Sequence, residues 1–459
     1  MIFTGYESPL ILLKHEVIQR DYEGHTVPND LKGQIAALDD EKDAWDFERV
    51  DTLYRALDNV QADPAFPYVQ PNDLEDIRRA RPDGPRQLGE ILETALLDKL
   101  HGAWTGRAAG CALGKPVEGM GIVGQQGMVG RKAIRTYLEN RQAWPLDFYI
   151  SGADAGDGLR VSCPQSQREN IAFMEPDDDI HYTIIALSVL ENYGPDFTWR
   201  DIATTWNTSL PYYAICTAEA QAIMNYNNAV PRKTPSNWVT PEYTSINRNP
   251  YREWIGAQIR ADGWGYACAG NPELAAEFAY RDACWTHRAN GIYGEMMFAA
   301  MMAAAFIESD PIQLVQIGLS EIPLNCRLAE ACRAALEQIP LSRDFEAYMD
   351  WVEHYYGTLH GVHTVNNALI VIGSLIYGDM DFHHAICRSI EGGWDTDCNG
   401  ATCGSIVGAA SGANGLTSSL VPPLNDTIKP NVFGFQEITM TELAERTLRV
   451  HRQVNANAL

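Results

Sequence analysis

The sequence predicts an all-α protein, and two observations lead to this fold class. From about residue 88 onward, long stretches are rich in Ala, Leu and Ile at helical spacing, whereas the alternating β-branched runs that indicate strands are scarce throughout. Hydrophobic residues make up 46% of the 459 residues and aromatic residues 10%, which suffices for a large buried core and excludes general disorder. A chain of this length forms about three domains, or one large domain with additions.

The beginning of the chain differs from the rest in composition. Residues 1–90 are polar, acidic and interrupted by proline, and the apolar spacing in DFERVDTLYRAL predicts short helices near 30–60, followed by a linker. We therefore expect an N-terminal helical extension over 1–90 and one helical domain over 91–459. Within that domain, 119–175 and 226–266 are predicted to be loop insertions, which either wall a functional site or decorate the surface.

Two predicted helices carry glycine at every fourth position. In GAWTGRAAGCALG the glycines are residues 102, 106, 110 and 114, and in GATCGSIVGAASG they are residues 400, 404, 408 and 412. Each glycine costs a helix about 1 kcal/mol relative to alanine, which indicates a compensating contact. Because a stripe without side chains lets another backbone approach closely, we expect two interior helices that can pack against each other.

Composition also restricts the partners and the compartment. There are 35 Lys and Arg against 60 Asp and Glu, a net charge of −25, which would repel nucleic acids and anionic membranes. Ten cysteines without a Cys-x-x-Cys pair argue against a disulfide framework and a structural zinc site. The first residues lack a basic start followed by a long apolar run, and the longest apolar stretch, 296–307, is too short to span a bilayer. We expect a cytoplasmic protein without nucleic-acid or membrane partners, and the oligomeric state stays open.

Three consecutive aspartates, Asp177, Asp178 and Asp179, precede an apolar helical pattern in EPDDDIHYTIIALSVLE. One aspartate can cap a helix N-terminus, and a second gains a little from the helix dipole. Three adjacent like charges repel one another unless a cation holds them, and hard divalent cations take carboxylate oxygens. The triplet is therefore either a helix cap or part of a metal site.

Two more acidic motifs border the glycine-rich helices. In EGGWDTDCNGATCGS, Asp395 and Asp397 flank Thr396 where the second of these helices begins, and Asp397 is alternatively a helix cap. Glu118 follows the first helix in GCALGKPVEGM and would, taken alone, be an exposed residue. If the two helices pack together, Glu118 and the Asp395/Asp397 turn can converge.

In their combination and order, these motifs resemble those of the ADP-ribosylglycohydrolase family, which includes dinitrogenase reductase activating glycohydrolases and ADP-ribosyl-acceptor hydrolases. The resemblance covers roughly 95–200 and 280–415. It implies an all-α, orthogonally packed multi-helix domain with loop insertions and a central cleft that holds two Mg²⁺ ions, with Mn²⁺ or Ca²⁺ as alternatives. It also implies hydrolysis of the bond between the anomeric carbon of ribose and a nitrogen or oxygen.

The resemblance assigns roles to individual residues. Asp178 and Asp179 match the paired metal-binding aspartates, Asp395 and Asp397 match those of the late turn, and Glu118 matches the glutamate near the catalytic water. Asp177 stands where the family usually has a threonine and can add a further carboxylate. The implied metal ligands are thus Asp177, Asp178, Asp179, Asp395 and Asp397, and the implied catalytic residues are Glu118 and Asp179.

Besides Asp177, the chain departs from the family pattern at three further positions. Ile180 and Cys398 stand where hydroxyl residues are usual, and Cys111 replaces an aspartate that is common in the first helix. A thiol is a poor ligand for Mg²⁺, which prefers oxygen. These changes indicate a divergent branch, so the substrate need not be an ADP-ribosylated protein.

Three residues are candidates for substrate binding. The Trp394 ring, directly before the late turn, can stack on a base or sugar, or it can lie in the core. His287, in WTHRANGIYGEMMF, matches a Thr-His pair that often faces the substrate in the family, and is alternatively a structural histidine. Glu295, in the same segment, is either a pocket acid or a helix-start charge.

The predicted function is metal-dependent hydrolysis of a ribosyl N- or O-glycosidic bond, in an ADP-ribosylated acceptor or a small riboside. Such a reaction passes through an oxocarbenium-like transition state, so the enzyme must hold the sugar and position water. One alternative is a non-catalytic member of the same fold that binds a nucleotide or ADP-ribose. Another is a metal-dependent phosphohydrolase, which usually adds histidine ligands that these motifs lack apart from His181.

Overall fold

The computed structural model describes residues 6–229 and 238–456. The described strands are β1 (Thr427–Ile428) and β2 (Ile438–Thr439), which pair antiparallel. The all-α class predicted from the sequence is thus confirmed. The α-helices, in chain order, are α1 (Pro9–Tyr22), α2 (Asn29–Ala36), α3 (Phe47–Asp58), α4 (Leu74–Ala80), α5 (Glu93–Gly114), α6 (Glu118–Val123), α7 (Gly130–Asn140), α8 (Asp178–Tyr193), α9 (Trp199–Ser209), α10 (Thr217–Ala229), α11 (Pro241–Ile246), α12 (Ala261–Ala267), α13 (Pro272–Ala283), α14 (Asn290–Ala305), α15 (Pro311–Leu319), α16 (Arg327–Gln338), α17 (Phe345–Tyr356), α18 (Thr364–Tyr377), α19 (Phe382–Glu391), α20 (Thr396–Ser411) and α21 (Met440–Ala456).

The N-terminal extension begins its helical structure earlier than predicted. Helix α1 starts at Pro9 because the Ser8 hydroxyl accepts a hydrogen bond from the Ile11 N–H (3.3 Å). Proline suits this first helical position, where an N–H would have no intrahelical partner. Helices α2 and α3 lie in the interval 30–60, as predicted, and pack with α1 around a small apolar cluster of their own.

Buried ion pairs fasten this extension to the rest of the chain. The Arg252 guanidinium lies 2.7 Å from a Glu16 carboxylate oxygen and 2.7 Å from one of Glu23, both contributed by the extension. Gln19 donates a hydrogen bond of 2.8 Å to Glu253. Since removing one partner of a buried pair leaves an uncompensated charge, these contacts hold α1 firmly in position.

Both predicted loop insertions contain helices. Segment 119–175 includes α7, which buries one amphipathic face. Segment 226–266 includes α11 and α12, while residues 230–237 of it lie outside the described residues. Proline was misleading as a loop signal here because Pro241 occupies the first position of α11, directly after the capping residue Thr240.

The two glycine-rich helices, α5 and α20, pack against each other as predicted. In antiparallel order, Gly102, Gly106 and Gly110 of α5 face Gly408, Gly404 and Gly400 of α20. A Cβ atom built on Gly110 would lie 1.9 Å from the Gly400 carbonyl oxygen, so this contact has no room for a side chain. At the end of the stripe, Thr396 donates its hydroxyl proton to the Gly114 carbonyl oxygen (2.8 Å). The antiparallel pairing therefore places the residues that follow α5 beside those that begin α20.

We expect the substitution Gly106→Ala to lower the free energy of unfolding by about 3 kcal/mol, because its Cβ would lie 2.0 Å from the Gly404 carbonyl oxygen. Urea-induced unfolding, followed by far-UV circular dichroism, measures the change. The matched control is Gly33→Ala inside α2, where no atom lies within 4 Å of the added methyl group. That control should stabilise the protein by about 0.5–1 kcal/mol, since alanine restricts the unfolded chain more than glycine does. Equal effects at the two positions would contradict the close-packing argument.

A strongly apolar helix lies in the interior of the fold. All residues of α14, including its methionine-rich centre, are buried, which explains its lack of a polar face. None of the helices in the described part of the chain has both the length and the hydropathy needed to cross a bilayer.

Candidate metal centre

Three helix starts and one helix end meet around a group of buried acids. The 3₁₀ turn Lys115–Val117 leads from the end of α5 into α6, whose first residue is Glu118. The Asp177–Asp179 triplet begins α8, and Asp395 and Asp397 begin α20. The structure therefore brings together all three acidic motifs singled out in the sequence.

Two sets of side chains are close enough to share a cation. The first ligand group consists of Cys111, Asp177, Asp179 and Asp397, each of which offers an atom within 4.8 Å of the others. The second ligand group consists of Asp395, Asp397 and Cys398, which satisfy the same criterion. Asp397 belongs to both groups, so it lies between the two positions.

The alternative of helix capping applies to only one of these acids. Asp177 caps α8, since its Oδ1 accepts the Asp179 N–H (3.0 Å). The predicted capping role of Asp397 is wrong, because Asp395 occupies the cap position of α20 and Asp397 lies within the first helical turn. The Asp395 side chain makes no capping hydrogen bond either. Capping therefore leaves the carboxylates of Asp395 and Asp397 unexplained.

Several carboxylate oxygens in this group have no hydrogen-bond partner among the described residues. They are Oδ2 of Asp179, Oδ1 of Asp395 and Oδ1 of Asp397, and all three atoms are buried. A buried acceptor without a partner costs about 1–3 kcal/mol, and more if it is charged. Carboxylate oxygens suit a hard divalent cation, so the donor set fits such an ion.

The electrostatic environment also favours a cation. Burial raises the pKa values of Asp178, Asp179 and Asp395 well above their usual range. The charge of Asp397, together with burial, also raises the pKa of Glu118 well above its usual range. Burial and the charge of Asp177 raise the pKa of Asp397 to about 6. Without a cation, several of these groups would therefore bind protons instead.

Two basic residues at the centre escaped the sequence interpretation. Lys115 Nζ lies 2.6 Å from Asp177 Oδ2 and donates a second bond of 2.6 Å to the Pro176 carbonyl oxygen. Burial alone would lower the pKa of Lys115, but the nearby Asp177 charge raises it, so this side chain stays an ammonium. Burial alone would likewise raise the pKa of Asp177, and the Lys115 ammonium holds it below its ordinary value. The available sequence signal for Lys115 was its position three residues before Glu118, in the turn that leads into that glutamate.

Arg107 fixes the start of α8 to the glycine-rich helix α5. Its buried guanidinium donates to the Asp179 carbonyl oxygen at 2.9 and 2.7 Å and to Asp179 Oδ1 at 3.1 Å. It also pairs with Asp262 at 2.9 Å. Only the other carboxylate oxygen of Asp179, Oδ2, is left free to face a cation.

The turn before α20 has a constrained backbone. Trp394 has a positive φ of 52°, which is uncommon for a residue with a side chain, and follows Gly393 with a φ of 79°. A Cβ atom on Gly121 of α6 would lie 2.3 Å from the Trp394 carbonyl oxygen. On the other side, Asn367 accepts a hydrogen bond from the Asp395 N–H (3.3 Å). These contacts hold the turn against α6 and α18, with the Trp394 side chain half-buried.

The other two predicted substrate contacts, His287 and Glu295, are fully buried. Both belong to a network around Arg260, whose guanidinium lies 3.3 Å from Glu295 Oε2 and 2.9 Å from the Thr286 hydroxyl. That hydroxyl lies 2.8 Å from His287 Nδ1. Arg260 also pairs with Glu219, whose charge contributes to the raised pKa of Asp178. The network therefore lies behind the carboxylate centre, and its member Glu219 was not singled out from the sequence.

The accessible side of the centre is formed by half-buried residues, which include Glu118, Asp178 and Cys216. Tyr6 of the N-terminal extension also reaches this side. Burial raises the pKa of Tyr6 to about 12, and Cys216 and Asp178 are among the groups that add to the effect. The extension thus contributes to the surroundings of the centre.

We expect the stabilisation of this protein by Mg²⁺ to increase as the pH rises from about 4 through about 6. Asp397, with its pKa raised from 3.8 to about 6, keeps a proton in the folded, metal-free state over this interval. That proton stabilises the folded state below the unfolded pKa, and this contribution is lost as the pH rises through the folded pKa. Since a cation must displace the proton, the ion binds more tightly once the pH exceeds about 6.

Differential scanning calorimetry with EDTA and with Mg²⁺, at about pH 4.5 and about pH 7.5, measures the increment, which is the gain in stability that Mg²⁺ produces at each pH. Buried histidines such as His363 have lowered pKa values and change stability in the opposite direction, but they contribute equally to both scans. The difference between the scans therefore isolates the centre. An increment that stays constant with pH would contradict the expectation.

Comparisons with known proteins identify the fold and the family of the chain. A solved structure titled "ADP-ribosylglycohydrolase-related protein complex" is similar with a TM-score of 0.50 and 15% sequence identity, over 79% of this chain and 99% of that chain. At this identity the likeness shows a shared fold. No curated protein matches the chain by sequence. The family model described as ADP-ribosylglycohydrolase matches residues 92–457. Because that match spans most of the chain, the protein belongs to the ADP-ribosylglycohydrolase family.

Proposed function

We propose that this protein is a metal-dependent glycosidase that hydrolyses a ribosyl N- or O-glycosidic bond, in an ADP-ribosylated acceptor or a small riboside. The observation that carries the proposal is the group of buried carboxylates with unpartnered oxygens at Asp179, Asp395 and Asp397. Membership of a family of glycosidic hydrolases supports the reaction class. The identity of the group attached to the ribose stays open.

The residues proposed to hold the cation are Asp177, Asp178, Asp179, Asp395 and Asp397. Mg²⁺ is the first expectation, with Mn²⁺ or Ca²⁺ as alternatives, and the family resemblance implies two ions. A divalent cation in this position supplies charge that can hold the ribose hydroxyls and favour deprotonation of water. The thiols of Cys111 and Cys398 stay protonated, since burial raises their pKa values well above the usual range.

Glu118 is proposed to position the attacking water and to accept its proton. The residue is half-buried, so its carboxylate can face both the centre and a substrate. Asp178 is half-buried on the same side, whereas Asp179 is completely buried and bound by Arg107. We therefore assign Glu118 to proton transfer, and Asp179 to catalysis through its free Oδ2.

Trp394 is proposed to stack on the base or sugar of the substrate, since its ring is half-buried beside Asp395. His287 and Glu295 remain candidates for substrate binding, but their complete burial supports an indirect contribution. Through Arg260 they would fix the charge of Glu219 near Asp178. The substrate would then contact the half-buried residues on the accessible side.

Hydrolysis in ¹⁸O-labelled water tests the proposal. The protein is incubated with Mg²⁺ or Mn²⁺ and a panel of ADP-ribosylated peptides, small N- and O-ribosides and nucleotides, and the products are analysed by mass spectrometry. The proposal expects free ribose or ADP-ribose, with the label at the anomeric carbon. Label in released phosphate would instead identify a phosphohydrolase. Metal-dependent binding of ADP-ribose without turnover would identify a non-catalytic member of the fold.

A further inference from the structure

The number of divalent cations at the centre can be inferred from the charges that the chain itself supplies. The first ligand group (Cys111, Asp177, Asp179 and Asp397) and the second ligand group (Asp395, Asp397 and Cys398) share only Asp397. If both groups bound an ion, the centre would hold two. The two groups differ sharply, however, in how much positive charge already lies against them.

The first ligand group is already in contact with two basic side chains. The Lys115 ammonium lies 2.6 Å from Asp177 Oδ2, and the other oxygen of that carboxylate accepts the Asp179 N–H. The Arg107 guanidinium lies 3.1 Å from Asp179 Oδ1. Each ligand group also contains one buried thiol, Cys111 in the first and Cys398 in the second, and a thiol is a poor ligand for a hard cation. Apart from the shared Asp397, this group therefore keeps one unpartnered carboxylate oxygen, Asp179 Oδ2.

The second ligand group has no such compensation. Within the described residues, no ion pair reaches Asp395 or Asp397, and each has a buried oxygen without a hydrogen-bond partner. Asp178 and Glu118 lie close by and also make no ion pair among these residues. The uncompensated negative charge is thus concentrated at one end of the centre.

We propose that the Lys115 ammonium permanently takes the place of one divalent cation, so that the centre binds a single ion, at Asp395 and Asp397. The ammonium lies at the first ligand group, where a second ion would otherwise bind. Like that ion, it neutralises Asp177 and helps to fix the start of α8. This inference rests on the proposed function only in assuming that the centre binds a divalent cation.

Counting bound Mn²⁺ tests the inference independently of activity. Equilibrium dialysis with elemental analysis should give one ion per wild-type chain, and the electron paramagnetic resonance spectrum should be that of an isolated ion. The variant Lys115→Met keeps a side chain of similar length but frees Asp177, and we expect it to bind two ions with a spin-coupled spectrum. The matched control is Lys99→Met in α5, the helix that precedes the Lys115 turn; the Lys99 ammonium donates to the Ala410 carbonyl oxygen (2.9 Å), away from the centre. That control should still bind one ion.

Two bound ions in the wild-type chain would overturn the inference, as would a folded Lys115→Met variant that binds only one. If the variant does not fold, the wild-type count and spectrum still decide between one ion and two. A wild-type chain that binds one ion but hydrolyses no riboside would refute the proposed function and leave this inference intact. Riboside hydrolysis by a chain with two bound ions would support the proposed function and overturn this inference. A chain that binds no divalent cation would refute the proposed function and this inference alike.

Discussion

The variant Asp397→Asn is expected to lose divalent-cation binding and ribosyl hydrolysis together, without losing its fold. Asp397 is the only member shared by both ligand groups, so any cation position at this centre depends on its carboxylate. An amide offers one neutral oxygen in place of a charged pair. We expect the affinity for Mn²⁺ to fall at least about 100-fold and the value of kcat/KM to fall about 1000-fold, equivalent to roughly 4 kcal/mol.

The same substitution should not lower the stability of the metal-free protein. Asp397 is buried and raises the pKa values of Glu118, Asp178 and Asp179 through its own charge. Removing that charge relieves repulsion in the folded state. We therefore expect the thermal midpoint of Asp397→Asn in EDTA to equal or exceed that of the wild type. This result would show that the variant loses the ion without losing its fold.

Isothermal titration with Mn²⁺, steady-state kinetics and calorimetry in EDTA provide the three readouts. The matched control is Asp344→Asn at the start of α17, where the Asp344 side chain accepts the Ala347 N–H (2.9 Å). Asparagine caps a helix as well as aspartate does, so this control should keep all three properties. Retained Mn²⁺ affinity in the Asp397→Asn protein would refute the assignment of the centre.

The glycine stripes show how much of the site could be predicted from sequence. Glycine at every fourth position predicts that the two helices can pack closely, and the structure adds the antiparallel register in which Gly106 meets Gly404. Once that antiparallel contact is assumed, the approach of Glu118 to Asp397 becomes predictable. Periodicity is informative here because packing the two helices along their stripes buries both stripes at once.

Other parts of the centre could not be found in this way. Lys115 is next to Pro116 in the sequence, and its 2.6 Å contact is with Asp177, which is 62 positions away. Glu219 and Arg260 meet only because α10 and the turn before α12 pack behind α8. Such pairs depend on tertiary packing, and the position of Lys115 near Glu118 indicates at most that it is close to the centre, not that it is buried against Asp177.

The variant Glu118→Gln is expected to lose turnover while keeping its cation. Among the acids of the centre, Glu118 belongs to neither ligand group, and it is half-buried on the accessible side. Glutamine preserves the shape of the side chain and can still orient a water, but it cannot accept a proton. We expect kcat to fall about 100- to 1000-fold, within the range of general base catalysis, with little change in KM.

The role of Glu118 is identified by a loss of turnover without a loss of cation binding. If Glu118 positions water and takes its proton, the Glu118→Gln protein should bind Mn²⁺ with nearly wild-type affinity. If Glu118 instead coordinates the ion, the substitution should weaken Mn²⁺ binding, as Asp397→Asn does. The matched control is Glu175→Gln, a half-buried acid two positions before Asp177 whose carboxylate accepts a hydrogen bond from the Ser166 hydroxyl (2.6 Å). Because Glu175 belongs to neither ligand group and has no proposed part in positioning the attacking water, its loss should leave both the Mn²⁺ affinity and kcat unchanged. Full activity in Glu118→Gln would remove this residue from the mechanism and leave Asp178, the other half-buried acid of the centre, as the group next to the attacking water.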